Sequence, residues 1–391
     1  MKILYLTHYE KLYGANRALL ELVRRLKAEG VHTPIVVVPA EGDLTAALRE
    51  AGIRCEICPV TQWQAIYVEA ISFARKKSKR KAAIEEELEI LTKRFASEGI
   101  DLIHSNSSVI GTGAMLAKRL HCKHVWHIRE YAKEHYGMEY FYPEEEVRSF
   151  YEEADAVVTI SDALKEHYRK LYPGANVLRI YDGIDTESAA RKERNGAWDY
   201  GSVSAPAEDA VRFLYTGYLF PAKRQLDVLR AAKILLAEGV KDFHISFAGD
   251  GEKSYLRRLA RMANARGLKE RVYFAGYVAN MQGLLSASDV GIIASDHEGF
   301  GLATAEYMRE GLPVIGRKSG ATPELVEDGV SGILYENVEG LAEAMKTLIL
   351  DREKAKAMGE AGALRVREHF TIGENCRAVA ALYQALEKGN L

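Results

Sequence analysis

Short apolar runs alternate with helix-like patterns along this chain in two successive series. The first series places its runs at 3–6, 33–39, 53–60, 102–104, 125–128 and 156–160. The second places them at 211–216, 243–248, 272–274, 290–294 and 314–315. Such an alternation predicts buried parallel strands joined by right-handed helical crossovers. We therefore expect an α/β protein with two doubly wound parallel-sheet domains.

A polar stretch rich in glycine, serine and charged residues interrupts the alternation at 187–209. We predict a first domain over 1–190, a linker over 191–209 and a second domain over 210–373. A chain of 391 residues is long enough for two hydrophobic cores.

The composition argues against several classes of function. A net charge of -2 gives no electrostatic reason to expect a nucleic-acid partner. No apolar run has the length of a membrane span, and the first apolar run is too short for a signal peptide. Four cysteines fit a reducing compartment, so we predict a cytoplasmic protein. Cys55 and Cys58 form an isolated Cys-x-x-Cys in a strand-like segment, which favours a structural role over redox or zinc chemistry.

The segment from Glu298 to Glu306 is the most specific local feature. It follows a buried strand, so Glu298 should lie on a loop at the carboxyl end of the sheet, where open parallel sheets bind ligands. The amides of Gly301 and Leu302 open the next helix and form an anion site. Two carboxylates that can hold hydroxyls beside amides that can hold phosphate suit a ligand with sugar hydroxyls and a diphosphate.

Residues 64–96 form a long, mostly helical insertion in the first domain. A basic run at 75–81 precedes three glutamates at 85–87. One interpretation is a solvated helix with charges of both signs. The other is a basic face that makes a peripheral contact with the inner face of an anionic membrane or with an acceptor lipid.

Several further motifs accompany Glu298 and Glu306 in order along the chain. They lie at 13–17 (Tyr-Gly-Ala-Asn-Arg), 181–185 (Tyr-Asp-Gly-Ile-Asp), 247–252 (Phe-Ala-Gly-Asp-Gly-Glu), 272–277 (Val-Tyr-Phe-Ala-Gly-Tyr), 311–315 (Gly-Leu-Pro-Val-Ile), 320–326 (Gly-Ala-Thr-Pro-Glu-Leu-Val) and 328–332 (Asp-Gly-Val-Ser-Gly). In this set the chain resembles the retaining glycosyltransferases of family 4, also called group 1, which carry a Glu-x7-Glu motif.

The resemblance implies the GT-B fold, two Rossmann-like domains facing across a cleft, with the C-terminal helix at 374–391 packed on the first domain. It implies transfer of a sugar from a nucleotide diphosphate sugar, with UDP sugars favoured, to a glycan or lipid-linked acceptor. Such a reaction belongs to the synthesis of cell-surface polysaccharides or glycoconjugates. No metal and no other cofactor is expected.

In the second domain the resemblance gives each motif residue a role. Glu298 contacts the donor sugar near the reacting carbon, and Glu306 accepts hydrogen bonds from the ribose. The backbone amides of Phe300, Gly301 and Leu302 face the sugar and the phosphates.

Lys223 follows a strand of the second domain and can neutralise charge on the leaving diphosphate. Gly217 and Gly249 lie at neighbouring strand ends, and the resemblance assigns them to donor binding. The family usually has arginine where this chain has Tyr218, and glycine where it has Arg224. Arg224 is a candidate replacement for the missing arginine, although its position one residue farther along points it elsewhere.

In the first domain a lone histidine at a strand end, such as His127, is more often structural. The resemblance instead places it against the donor sugar as a catalytic residue. It places Gly14 near the donor diphosphate. Candidate acceptor contacts are Arg17, Arg129 and Asn106, the last on its strand-end position alone. His124 and His127 point to opposite faces of one strand, so we expect no metal between them.

Two other functions remain open from the sequence. A sugar-nucleotide epimerase of the same architecture would isomerise the donor without an acceptor. A non-catalytic subunit would bind the nucleotide sugar without turnover.

Overall fold

The computed structural model describes residues 1–30, 32–66, 70–186, 207, 209–264 and 267–390. The chain divides into two compact units, Met1–Gly183 with Ile372–Leu391 and Ile184–Thr371. The predicted linker at 191–209 lies outside the described residues, apart from Ala207 and Asp209.

The first unit is built on a seven-stranded parallel sheet of order β3-β2-β1-β5-β6-β8-β9, and β4 pairs with β7 in a separate antiparallel ribbon. Its elements are β1 (Lys2–Leu6), α1 (Gly14–Ala28), β2 (Thr33–Val38), α2 (Asp43–Glu50), β3 (Arg54–Ile57), β4 (Gln64–Ile66), α3 (Ala70–Phe95), β5 (Leu102–Ser105), α4 (Thr112–Leu120), β6 (Lys123–Ile128), α5 (Ala132–Tyr136), β7 (Met138–Tyr140), α6 (Glu144–Glu152), β8 (Ala156–Thr159), α7 (Asp162–Leu171) and β9 (Val177–Arg179).

The second unit is built on a six-stranded parallel sheet of order β12-β11-β10-β13-β14-β15. Its elements are β10 (Val211–Thr216), α8 (Gln225–Ala237), β11 (Phe243–Ala248), α9 (Lys253–Ala263), β12 (Val272–Gly276), α10 (Met281–Ser286), β13 (Val290–Ile293), α11 (Leu302–Arg309), β14 (Val314–Arg317), α12 (Thr322–Leu325), β15 (Gly332–Tyr335), α13 (Val338–Leu350) and α14 (Arg352–His369). The last helix, α15 (Ile372–Lys388), returns to the first unit, where Cys376, Val379 and Tyr383 lie in the core with Ile3 and Leu22.

The two sheets explain where ligand-binding residues can lie. In each sheet the strand order reverses beside the first strand, at β1 between β2 and β5 and at β10 between β11 and β13. Loops after such strands diverge and leave a crevice at the carboxyl edge, the usual ligand site of an open α/β sheet. The predicted α/β class with two parallel sheets is confirmed.

Several element bounds differ from the sequence prediction. The apolar run at 53–60 contains a strand of only four residues, Arg54–Ile57, and the insertion at 64–96 begins with the short strand β4 before its helix. The helical pattern at 339–370 is two helices separated at Asp351, whose side chain accepts a hydrogen bond from the Lys354 amide and caps the second helix. The short edge strands β9 and β15 had no clear periodic signal.

Among the described helices none is both long and apolar enough to cross a membrane.

Candidate functional site

Lys223 and Glu298 meet at the carboxyl edge of the second sheet. Lys223 ends a short 3-10 turn after β10, and Glu298 lies on the loop after β13. The Lys223 Nζ donates hydrogen bonds to both Glu298 oxygens, at 2.7 Å to Oε1 and 2.9 Å to Oε2. The two side chains are only 17% and 12% exposed. Because β10 and β13 are neighbours at the point where strand order reverses, the sheet itself brings these residues together.

A glycine supports the Glu298 backbone from the next loop. Gly320 has φ +55°, and a Cβ there would lie 2.6 Å from the Glu298 carbonyl oxygen and 2.7 Å from its amide nitrogen. The adjacent Ala321 amide donates to that carbonyl oxygen at 2.9 Å. The loop after β14 therefore fixes the position of Glu298, and it can do so only with glycine at 320.

Gly301 begins α11 beside this pair. Its φ of +96° is in the left-handed region, and no side chain caps the helix start. Its neighbour Phe300 is 2% exposed and packs edge-on against Phe370 at 5.7 Å between ring centroids. Glu306 is half-buried one turn farther along α11, and Leu302 is half-buried at its start. Thus α11 directs an uncapped amino end, with its partial positive charge, toward the edge that holds Glu298.

Arg224 is occupied by two carboxylates of its own unit. It has φ +55°, and its guanidinium donates from Nε to Asp227 at 2.7 Å and from Nη1 to Asp296 at 3.0 Å. Arg317, at the end of β14, pairs with the other oxygen of Asp296 at 2.6 Å. The sequence analysis missed Arg317 and Asp296, although both follow apolar runs at strand ends and could have been found by that position.

Gly217 and Gly249 directly follow the neighbouring strands β10 and β11. Gly217 has φ +131° and Gly249 φ +139°, and a Cβ on Gly249 would overlap the Gly217 carbonyl oxygen. The Gly249 amide donates to the Gly276 carbonyl oxygen at 2.7 Å. These glycines let two strand ends approach each other at the same edge as Lys223.

Tyr307 ties α11 to the end of β10. Its hydroxyl oxygen accepts from the Thr216 amide at 2.6 Å and lies 2.8 Å from the Thr216 hydroxyl. The ring fills the space that a side chain at Gly291 would need. This fully buried tyrosine fixes the distance between the strand that leads to Lys223 and the helix that carries Glu306.

His127 is the next-to-last residue of β6 in the first unit and is 0% exposed. Its Nδ1 lies 3.1 Å from Nε2 of His104, which is the next-to-last residue of the neighbouring strand β5. Burial, with the nearby charge of Arg129, holds the pKa of His127 well below its usual range. The ring is therefore a neutral group, and its Nε2 is buried with no hydrogen-bond partner among the described residues.

The other predicted residues of the first unit fall into two groups. Arg129 and Asn106 are buried and bonded to each other, with the Arg129 Nε donating to the Asn106 oxygen at 2.8 Å, and Arg129 also pairs with Asp182. Arg17 is exposed on α1, and Gly14 is half-buried at the start of that helix. The structure thus brings Arg129, Asn106 and His127 together.

No group of three or more His, Cys, Asp or Glu side chains within the described ranges is arranged to hold a metal ion. Cys55 and Cys58 are both unpaired thiols, on β3 and just after it. Burial raises the pKa of Cys58 to about 11, which makes it unreactive at neutral pH.

Two doubly wound parallel sheets, each with a crevice beside its first strand, define an α/β protein of two Rossmann-like units. Family models identify it further. The glycosyl transferases group 1 model matches residues 199–365, and the glycosyltransferase family 4 model matches residues 13–188. The chain belongs to these family 4, group 1 glycosyltransferases, as its motifs predicted.

Curated relatives match over part of their length. N-acetyl-alpha-D-glucosaminyl L-malate synthase of Bacillus anthracis is 27% identical over 227 residues, 57% of this chain and 58% of that protein. A lipopolysaccharide core mannosyltransferase of Rhizobium meliloti is 32% identical over 130 residues, 32% of this chain and 37% of that protein. The chain thus spans only about half the length of such relatives, or less.

Solved structures match over nearly the full chain. HepE of Anabaena in complex with UDP-glucose has a TM-score of 0.77 at 21% identity, with 98% of this chain and 100% of that one covered. A sucrose-phosphate synthase from Thermosynechococcus elongatus has a TM-score of 0.75 at 17% identity, with both chains fully covered. At these identities the likeness shows the fold, which is GT-B.

Proposed function

We propose that this protein transfers a sugar from a nucleotide diphosphate sugar to an acceptor hydroxyl, with retention of the anomeric configuration. The observation that carries the proposal is the Lys223–Glu298 ion pair beside the uncapped start of α11. Together they supply a cation, a carboxylate and backbone donors within one sheet edge. A diphosphate sugar needs all three during transfer.

The reaction breaks the bond between the anomeric carbon and a diphosphate oxygen, and the electron pair leaves with the diphosphate. Lys223 is assigned to that developing charge, aided by the amides of Gly301 and Leu302. The Glu298 carboxylate faces the positive charge that builds on the sugar ring. Before the donor arrives, each of the two groups neutralises the other, which lowers the cost of holding both half-buried.

The new bond forms from the acceptor oxygen to the same face of the anomeric carbon. The acceptor proton passes to an oxygen of the leaving diphosphate, so no protein base is required for that step. Glu306 is assigned to the ribose hydroxyls, and His127 to the donor sugar. We assign no metal to the reaction, because Lys223 and the α11 amides take the diphosphate charge.

Arg224 is not our candidate for the missing family arginine. Its guanidinium already serves Asp227 and Asp296, and a diphosphate would have to displace one of these carboxylates. Tyr218, at the usual arginine position, is exposed. The charge on the leaving group therefore rests mainly on Lys223.

The donor class is supported by two named similarities. HepE was crystallised with UDP and UDP-glucose, and a relative from Mycobacterium tuberculosis, 28% identical over 225 residues, is named as a GDP-mannose-dependent mannosyltransferase. We favour a UDP sugar. For the acceptor we favour a lipid-linked or glycan hydroxyl in cell-surface synthesis, because α3 exposes Arg75, Lys76, Lys79 and Arg80 on one segment.

The test is nucleotide release from UDP-glucose and GDP-mannose, with and without anionic vesicles that carry polyprenyl phosphate sugars. Turnover that depends on the acceptor, with an α-linked product from an α-linked donor, supports the proposal. Glu298→Gln should remove turnover and keep the wild-type melting temperature within a few degrees. Conversion of the donor into an isomer, or binding with no release, contradicts a transferase.

A further inference from the structure

A chain of four fully buried side chains crosses the first unit and ends at His127. It starts at Tyr5 on β1, whose hydroxyl lies 3.1 Å from that of Tyr383 on α15. The Tyr383 hydroxyl lies 2.7 Å from Nδ1 of His104, and Nε2 of His104 lies 3.1 Å from Nδ1 of His127. Each of the four residues is 0% exposed, so water does not interrupt the chain.

Arg129 determines which way the hydrogen bonds run. Its Nη2 lies 3.5 Å from His127 Nδ1, the same nitrogen that faces His104. A guanidinium only donates, so two groups with N–H bonds would clash there if Nδ1 carried a proton. Nδ1 of His127 is therefore the acceptor. Burial and the charge of Arg129 hold the pKa of both histidines well below the usual range, so each ring carries a single proton.

The direction of donation in the other hydrogen bonds of this series follows from that assignment. His104 donates from Nε2 to His127 and accepts at Nδ1. The Tyr383 hydroxyl donates to that Nδ1, and its oxygen accepts from the Tyr5 hydroxyl. Each group donates its one proton in a hydrogen bond to the next group, so all three hydrogen bonds point toward His127 and reinforce one another.

The proton of His127 consequently sits on Nε2, the buried nitrogen with no partner among the described residues. A buried N–H without an acceptor is unfavourable, and a bound oxygen atom that accepts from it would remove that cost. The site is thus prepared for a ligand that brings an acceptor oxygen to this nitrogen.

We propose that Tyr383 and His104 are positioning residues that hold His127 in the Nε2-protonated tautomer, so that it donates to a hydroxyl oxygen of the donor sugar. This inference rests on the proposed sugar transfer. It gives α15 a role in the site as well as in the core, although Tyr383 is 279 positions from His104 along the chain.

The tautomer can be read without turnover. Full-length protein with ¹⁵N-labelled histidines gives distinct ring-nitrogen shifts for protonated and bare nitrogens, and His127→Gln identifies the His127 signals. We expect a protonated Nε2 and a bare Nδ1 in the wild type. In His104→Leu the donor at 3.1 Å is gone and only the longer 3.5 Å contact from Arg129 faces Nδ1, so we expect part of the population to shift to the Nδ1-protonated tautomer. A wild-type His127 protonated at Nδ1 overturns the inference.

The kcat values of variants distinguish a positioning role of His104 and Tyr383 from a role in core packing alone. His104→Gln places an amide N–H where Nε2–H was, and should keep most of the activity that His104→Leu loses. Tyr383→Phe should lower kcat about threefold to tenfold, the worth of one hydrogen bond. Tyr151→Phe is the matched control, because Tyr151 is an equally buried tyrosine of this unit whose hydroxyl faces Tyr140 at 3.3 Å. It should change neither the His127 shifts nor kcat.

Failure of the proposed function and failure of the positioning role give different results. A correct tautomer with no turnover of UDP-glucose or GDP-mannose contradicts the proposed function and the sugar contact with it. Turnover with a His127 tautomer that does not respond to His104→Leu, or with equal kcat for His104→Gln and His104→Leu, contradicts the positioning role alone.

Discussion

Lys223 donates to both carboxylate oxygens of Glu298 across 75 positions of sequence, at 2.7 and 2.9 Å. The pair is the point where two separate loops of the second unit meet. Each side chain is mostly buried, so the attraction is stronger than between exposed charges, and removal of one partner leaves the other with an uncompensated charge.

Lys223→Met should lower kcat for nucleotide release about 100-fold to 1000-fold, because a preorganised cation at the leaving group is lost. KM should change much less, since the charge develops mainly after binding. Steady-state kinetics on the turned-over donor measure both values. Lys233→Met, an exposed lysine on α8, is the control and should behave as wild type. A wild-type kcat in Lys223→Met would show that Lys223 has no part in the reaction.

Gly320→Ala should impair activity beyond its cost in stability. Alanine at φ +55° is strained by about 1–2 kcal/mol, and its Cβ would also press on the backbone of Glu298. Gly329→Ala is the matched control, because Gly329 has φ +77° and a Cβ there meets no atom within 4 Å. In urea titration Gly329→Ala should lose about 1–2 kcal/mol for its φ alone, and Gly320→Ala should lose more, because its Cβ also meets backbone atoms. Only Gly320→Ala should lose activity, and equal kcat in the two would show that the Glu298 position is not critical.

Tyr307→Phe should destabilise the second unit by about 1–3 kcal/mol, since it leaves the buried Thr216 amide without its acceptor. The comparison is Tyr335→Phe. The Tyr335 hydroxyl is equally buried but has no hydrogen-bond partner among the described residues, so its removal should cost little. Thermal and urea unfolding of both variants provide the measurement. A larger loss in Tyr335→Phe would mean that the Tyr307 bond does not support the sheet edge.

The first unit should lose stability as the pH falls below about 6.5. Burial lowers the pKa of His124 from about 6.5 in the unfolded chain to about 3 in the native state. Between these two pH values the unfolded chain binds a proton that the native state does not. Each such histidine contributes a loss of about 1.4 kcal/mol per pH unit as the pH falls. Tryptophan fluorescence follows unfolding here, because Trp63 and Trp126 are buried in this unit.

His124→Gln should make that loss shallower by about one proton. Parallel pH dependences for His124→Gln and the wild type would rule out His124 as a contributor.

Removal of divalent metal should leave the rate unchanged. In the proposed mechanism Lys223 and the α11 amides stabilise the negative charge of the diphosphate. Enzyme treated with a chelator therefore keeps every group that the reaction uses. The measurement is nucleotide release after dialysis against EDTA, with and without added Mg²⁺ or Mn²⁺. Loss of activity on chelation, restored by one of these ions, would contradict the assignment.

The local pattern of apolar residues and glycines was enough to predict the strands and helices that form the carboxyl edge of the second sheet. The apolar run before Glu298, the glycine at 301 and the helix with Glu306 are all set by residues within a dozen positions of each other. The sheet edge on which Glu298 lies follows from strand polarity alone. Short edge strands such as β15 escaped prediction, because four residues give too little periodicity to read.

The residues that the sequence analysis missed all depend on distant partners. Arg317 and Asp296 look like ordinary strand-end charges until β13 and β14 pair and bring them to 2.6 Å. Arg224 was proposed from the sequence as a replacement for the missing family arginine, and that role stays a prediction; its ion pair with Asp296, 72 positions away, appears only in the structure.

The sequence by itself determined the fold class, the family and the types of group at the site, because hydrophobic periodicity and glycine positions act over short distances. Only the tertiary structure decided which groups pair and which are left to meet a ligand. Lys223 reaches Glu298, and Tyr383 reaches His104, through strand order and helix packing that no local pattern encodes. The protonated nitrogen of His127 is set by its neighbour Arg129 together with three residues from other strands and the last helix, since a hydrogen bond depends on position in space and not on position in the chain.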